Sequence, residues 1–88
     1  MKYEQRTRQA LREWLARMNG RVDATDIGDA TGLVSGGVLK SIHVMDLILW
    51  IEERLGRQVE VQRIRAGSFA SVNAIYASFF SEEGDRAA

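Results

Sequence analysis

Apolar residues recur at helical spacing in three stretches of the chain, separated by polar, glycine-rich connections. In the first stretch Leu11, Trp14, Leu15 and Met18 form one stripe, with Tyr3, Thr7 and Ala10 extending it toward the N-terminus. Three- and four-residue steps place these positions on one helix face, so the pattern predicts a helix over residues 3–18. Asn19-Gly20 supplies its stop signal. In the second stretch Val44, Leu47, Ile48, Ile51 and Leu55 repeat in the same way and Gly56 closes the helix. Ser41 stands at or beside its start, where a hydroxyl can meet unpaired backbone N–H groups at the positive end of the helix dipole. In the third stretch Ser71 is a candidate cap for a last helix carrying Val72, Ile75, Tyr76 and Phe79.

The connections are as informative as the helices. Residues 21–40 hold four glycines and three aspartates, which argues against a long regular element there. A structureless connection of this length is uncommon in a small domain and tends to carry function. Its apolar residues Leu33, Val38 and Leu39 are expected to pin it to the helices. Asp23, Asp26 and Asp29 are spaced by three, but a calcium loop needs a bidentate glutamate at its twelfth position, and that position is Val34. Residues 57–64 alternate polar and apolar, which can be read as a strand. A lone strand has no partner, so we read an extended connector with Val59, Val61 and Ile64 turned to the core. The fold class is therefore all-α, with one domain over residues 1–80 and a polar, frayed tail over residues 81–88.

Composition narrows the class of protein. The chain has 88 residues, enough for one small core and no more. Hydrophobic residues make up 45% and charged residues 27%, ordinary values for a folded soluble chain. There is no cysteine, and hence no disulfide or cysteine-based metal site. No apolar run reaches the ~20 residues needed to cross a bilayer, and the N-terminus does not lead into a signal-peptide core. We expect a cytoplasmic protein without membrane insertion. The formal charge is zero but unevenly spread, with a net +4 over residues 1–21, −5 over residues 22–53 and +1 over the remainder. Arg6, Arg8, Arg12 and Arg17 in the first helix allow two readings, a nucleic-acid footprint or a solvated face interspersed with Glu4 and Glu13. No base-recognition motif accompanies them, so we expect no nucleic-acid partner.

The run Gly37-Val38-Leu39-Lys40-Ser41-Ile42 resembles the motif that opens the second helix of the carrier-protein family, which includes acyl carrier proteins and their peptidyl and aminoacyl relatives. In that family a Gly-x-Leu-Asp-Ser-[Leu/Ile] motif carries, on its serine, a CoA-derived 4'-phosphopantetheine held through a phosphodiester. The resemblance extends without a gap from Leu33 to Gly56, through Asp46-Leu47-Ile48-Leu49-Trp50-Ile51-Glu52-Glu53-Arg54-Leu55-Gly56. It resumes at Phe69, which falls in the place of a phenylalanine in the family's short third helix. The resemblance implies an acyl-carrier-protein-like four-helix bundle with a long loop between helices 1 and 2 and a short helix 3. It further implies Ser41 as the attachment point of 4'-phosphopantetheine, which bears an acyl or aminoacyl group as a thioester. The chain would then be no enzyme, and it would be a monomer. The partners implied are a phosphopantetheinyl transferase, which uses Mg²⁺, a loading ligase or transferase for acyl or aminoacyl groups, and downstream acyl-processing enzymes.

Lys40 departs from the motif, standing where the family has an aspartate that contributes to recognition by the transferase. A dedicated partner, weak modification by generic transferases, an unmodified relative, or a charge that neutralises the phosphodiester all remain open on sequence. The residues around Ser41, namely Lys40, Ile42, His43, Met45 and Asp46, are the expected partner-docking surface, although Met45 can equally pack inward. His43 lies two residues from Ser41, a spacing that separates them around a helix and argues against a catalytic pair. The exposure of Trp50 is undecided. The alternative function is an unmodified helical module that binds a partner protein through its second helix.

Overall fold

The computed structural model describes residues 2–60, 62, 64, 65 and 67–81. The described residues form helices, turns and connecting segments, with no strand among them. Helix α1 spans Lys2–Asn19, α2 spans Val44–Leu55, and α3 spans Val72–Ile75 and runs directly into a π-helical turn, Tyr76–Phe80. Two short 3-10 turns, Ala24–Asp26 and Ser41–His43, interrupt the long connection and lead into α2. No described helix is long and apolar enough to cross a membrane.

The stripes read from the sequence are the buried faces. Leu11, Trp14 and Leu15 of α1 meet Leu47 and Ile51 of α2 and Val72, Ile75, Tyr76, Phe79 and Phe80 of the last helix in one hydrophobic cluster. Trp14, Trp50 and Phe80 form an aromatic relay through the three helices, with ring centroids 6.3 Å and 6.2 Å apart at its two steps. These separations lie in the range where aromatic pairs add to simple burial. Trp50 is half-buried, with the Arg54 guanidinium 5.3 Å above its ring. Phe80 and Ile27 are fully buried core members outside the stripes read from spacing. At the other end of α1 the stripe stops short, because Tyr3 is exposed.

The helix ends follow local rules. The Ser71 hydroxyl accepts from the Ala74 N–H at 3.0 Å, the cap expected of it. Gly56 takes the left-handed conformation (φ 73°) and its N–H returns to the Glu52 carbonyl at 2.8 Å. Beyond it, the Val59 N–H donates to the Glu52 carboxylate at 2.9 Å, and Val59 and Ile64 lie half-buried against the core. Extended connection, rather than strand, is thus what these two residues form; Val61 lies outside the described residues. So do residues 82–88, on which the frayed-tail expectation falls; Ser81 continues the last helix and is exposed.

The long connection is fastened at both levels, side chain and backbone. Ile27, Leu33, Val38 and Leu39 are buried in the common core. The Leu33 N–H donates to the Ala70 carbonyl (2.8 Å), and the Leu39 N–H returns to the Leu33 carbonyl (2.9 Å), so the segment closes on itself. Asn19, at the end of α1, donates from its amide to the carbonyls of Gly37 and Val38, both at 3.1 Å. Gly36 is required by close approach, since a Cβ there would lie 2.5 Å from the Gly32 carbonyl oxygen.

The α1 arginines divide into two groups. Arg6 and Arg17 are exposed. Arg8 is half-buried, its guanidinium 5.0 Å from the Tyr76 ring centroid. The same guanidinium meets Glu4 at 2.8 Å, Asn73 at 2.6 Å and Asp29 at 3.2 Å. Arg12 also pairs with Asp29, whose backbone carbonyl accepts from the Asn73 N–H. These two cations clamp α1, the connection and the last helix together, a role that neither of the sequence readings contained.

Two substitutions test the clamp. Arg8→Ala is expected to lower the unfolding free energy by about 1–2 kcal/mol, the combined loss of a cation–π contact and a charged hydrogen bond. Arg6→Ala, on the exposed face, should stay within about 0.5 kcal/mol of the parent in the same urea titration.

Candidate functional site

The entry to α2 carries the residues singled out by the motif. The chain reaches it from Val38 and Leu39, both buried, and emerges at Lys40, which is exposed. Lys40 is extended (φ −98°, ψ 155°) and occupies the N-cap position of the Ser41–His43 turn. The His43 N–H closes that turn on the Lys40 carbonyl at 2.9 Å, and α2 follows from Val44 without a break.

Ser41 sits one residue inside the cap and is exposed. Neither the turn nor α2 has a side-chain cap hydrogen bond at its start, so the Ser41 hydroxyl does not play the capping part that serine commonly takes. The reason is geometric. An N-cap residue needs an extended backbone so that its side chain can fold back on the second or third N–H, and here Lys40 holds that conformation. The Ser41 hydroxyl is left facing solvent beside the first N–H groups of the turn, which precede the first helical hydrogen bond.

The remaining site residues separate into two sets. Ile42 is 76% exposed and Met45 66% exposed, which resolves Met45 as outward-facing. Leu49, 55% exposed, belongs with them. It was absent from the docking residues expected from sequence, yet it was detectable as a leucine lying off the apolar stripe of its own helix. With Ile42, Met45, Asp46, Leu49 and Glu53 at three- and four-residue steps, one face of α2 carries an apolar stripe flanked by carboxylates. His43 differs from these neighbours. It is half-buried, and its Nδ1 is shielded from solvent with no hydrogen-bond partner among the described residues, so only part of the ring belongs to the outer surface.

The charges along this face are ordered. Lys40 lies at the N-terminal end and is the sole lysine or arginine between positions 22 and 53. Among the described residues no hydrogen bond or ion pair holds its ammonium. Asp46 follows in the first turn of α2, where a carboxylate is favoured by the helix dipole, and Glu53 stands near the far end.

No protein-family model, curated protein or solved structure matches this chain.

Three substitutions separate capping from other roles. Ser41→Ala should change stability by less than about 0.5 kcal/mol because no cap bond is lost. Ser71→Ala removes a cap bond and should cost about 1 kcal/mol. Lys40→Asp should stabilise the fold by about 1 kcal/mol, since it places a capping carboxylate on an extended N-cap residue in place of a cation. Denaturant unfolding of the four proteins checks all three.

Proposed function

We propose that the chain is a carrier protein of the acyl-carrier type. It bears 4'-phosphopantetheine on Ser41 and delivers an acyl or aminoacyl group between biosynthetic enzymes. In this reading the described helices belong to a four-helix bundle whose long first loop is the connection over residues 21–40. Its short third helix lies near residues 65–69, where the described residues form hydrogen-bonded turns (Ser68 N–H to Arg65 and Ala70 N–H to Gly67). The observation that carries the reading is the exposed Ser41 hydroxyl, free of a cap role, at the opening of a helical turn and inside a gap-free family-like run.

The residues present fit the group. A phosphodiester on the Ser41 oxygen would stand at the N-terminal end of the turn, where free N–H groups and the dipole favour an anion, beside the Lys40 ammonium. When bound, the arm supplies a thiol on which an acyl group is carried as a thioester. The protein's own share is presentation. Leu33, Val38 and Leu39 anchor the approach to Ser41 in the core, so the serine is held at a fixed place on the surface. Ile42, Met45 and Leu49 offer the apolar contact, and Lys40, Asp46 and Glu53 the charges, by which a transferase, a loading enzyme and downstream acyl-processing enzymes would dock.

The exposed stripe on α2 also favours a second reading, an unmodified interaction module that binds through this helix. Intact mass after incubation with CoA, Mg²⁺ and phosphopantetheinyl transferases, including those of its own organism, discriminates the two. The carrier reading expects one phosphopantetheine gained on the native chain and none on folded Ser41→Ala. A folded native chain that stays unmodified with every transferase overturns it, and partner binding intact in Ser41→Ala then favours the module.

A further inference from the structure

We propose that Lys40 is a charge selector for access to Ser41. It admits docking faces that carry an acidic group opposite position 40 and turns away basic ones. The inference rests on the carrier reading of Ser41 and adds to it the kind of partner that can reach the serine.

Three observations converge on Lys40. Its backbone is extended at an N-cap position, the conformation at which serine, threonine, aspartate and asparagine are favoured for capping. Lysine can make no such cap, because an ammonium has no acceptor. A cation at this end of a helix also opposes the dipole. Finally, the ammonium is exposed, and no carboxylate among the described residues offsets it. Lys40 thus serves neither the turn nor the packing, and departures from local rules of this kind belong at functional positions.

Its surroundings say what such a residue does. Lys40 adjoins Ser41 and Ile42, so any protein that covers the serine and the apolar stripe must bring its surface against the ammonium. The same stripe is flanked by Asp46 in the first turn of α2 and by Glu53 near its end. The face therefore has an electrical polarity, positive at Lys40 beside the serine and negative along α2, from Asp46 in its first turn to Glu53 near its end. A complementary partner is apolar at its centre, acidic where it meets Lys40 and basic where it meets Asp46 and Glu53. A partner that is basic throughout gains attraction at one end and meets like charge at the end that matters for Ser41.

The test compares the native chain with Lys40→Asp and Lys40→Asn, measuring phosphopantetheine incorporation from CoA by a broad-specificity transferase with a basic docking face. Asparagine and aspartate both cap, but only aspartate reverses the charge, so the pair separates electrostatics from local stabilisation. We expect Lys40→Asp to be modified with kcat/KM about tenfold or more above the native chain, with Lys40→Asn well below it. The advantage should shrink in about 0.5 M salt, where the screening length falls to ~4 Å. A transferase variant whose basic residue opposite position 40 is changed to glutamate should reverse the order. Ser41→Ala in the Lys40→Asp background should take up nothing, which fixes the modified serine.

Equal rates for all three chains overturn the selector and leave the carrier reading standing. Equal acceleration by aspartate and asparagine also overturns it, because the gain is then one of capping. No incorporation into any of the three folded chains overturns the selector, because reversing the charge at position 40 then fails to admit a basic docking face, while the carrier reading stands or falls with the transferases of its own organism.

Discussion

The anchoring of Leu33 is the constraint on which the rest of this structure depends. Twenty-one residues separate the end of α1 from the start of the Ser41 turn, and they contain no helix longer than three residues. Closing such a segment costs chain entropy, and little local hydrogen bonding offsets it. Leu33 answers both needs, with a side chain fully withdrawn from water, an N–H on the Ala70 carbonyl and a carbonyl on the Leu39 N–H. Its burial is worth roughly 1.5–3 kcal/mol, and Ile27, Val38 and Leu39 add comparable amounts. Without these anchors the approach to Ser41 would be an unrestrained tether, and the serine would have no fixed relation to the apolar face of α2.

Polar contacts complete what burial begins. Arg8 and Arg12 reach from α1 to Asp29 in the connection, and Arg8 goes on to Asn73 and the Tyr76 ring in the last helix. Asn19 ties the end of α1 to Gly37 and Val38, three residues ahead of the site. The connection is thus held at Asp29 from one side and at Gly37–Val38 from the other, with Leu33 between. Exposed ion pairs contribute little individually, but here several acceptors share one half-buried guanidinium, which also lies over an aromatic ring.

The outer face of α2 is set by the same arrangement. Because Leu47 and Ile51 are drawn fully into the core, Ile42, Met45 and Leu49 are carried outward beside Ser41. Their exposure is a consequence of helix geometry once the inner face is chosen, and an apolar stripe with charged flanks is a surface suited to protein contact. Lys40 is the one residue of this region that neither geometry nor stability calls for.

Most of the architecture was legible in the sequence because it is written in short-range periodicity. The stripes of α1, α2 and the last helix, the glycine stop at Gly56 and the Ser71 cap follow from residue type and spacing of three or four, and the anchors Leu33, Val38 and Leu39 are read as apolar residues of the family-like run around Ser41. Position around the helix start, side-chain reach and depth of burial were decided only in three dimensions. Ser41 proved to lie one residue inside the cap because the extended conformation fell to Lys40, a choice made by how the buried Leu39 delivers the chain. Arg8 and Arg12 became a clamp rather than a footprint or a solvated face, since long side chains take partners from whichever elements packing brings near. Trp50 became half-buried for the same reason, through Trp14 and Phe80, residues 36 and 30 positions away. Spacing along one helix reports which residues share a face; only the packing of three helices and a long connection reports what that face meets.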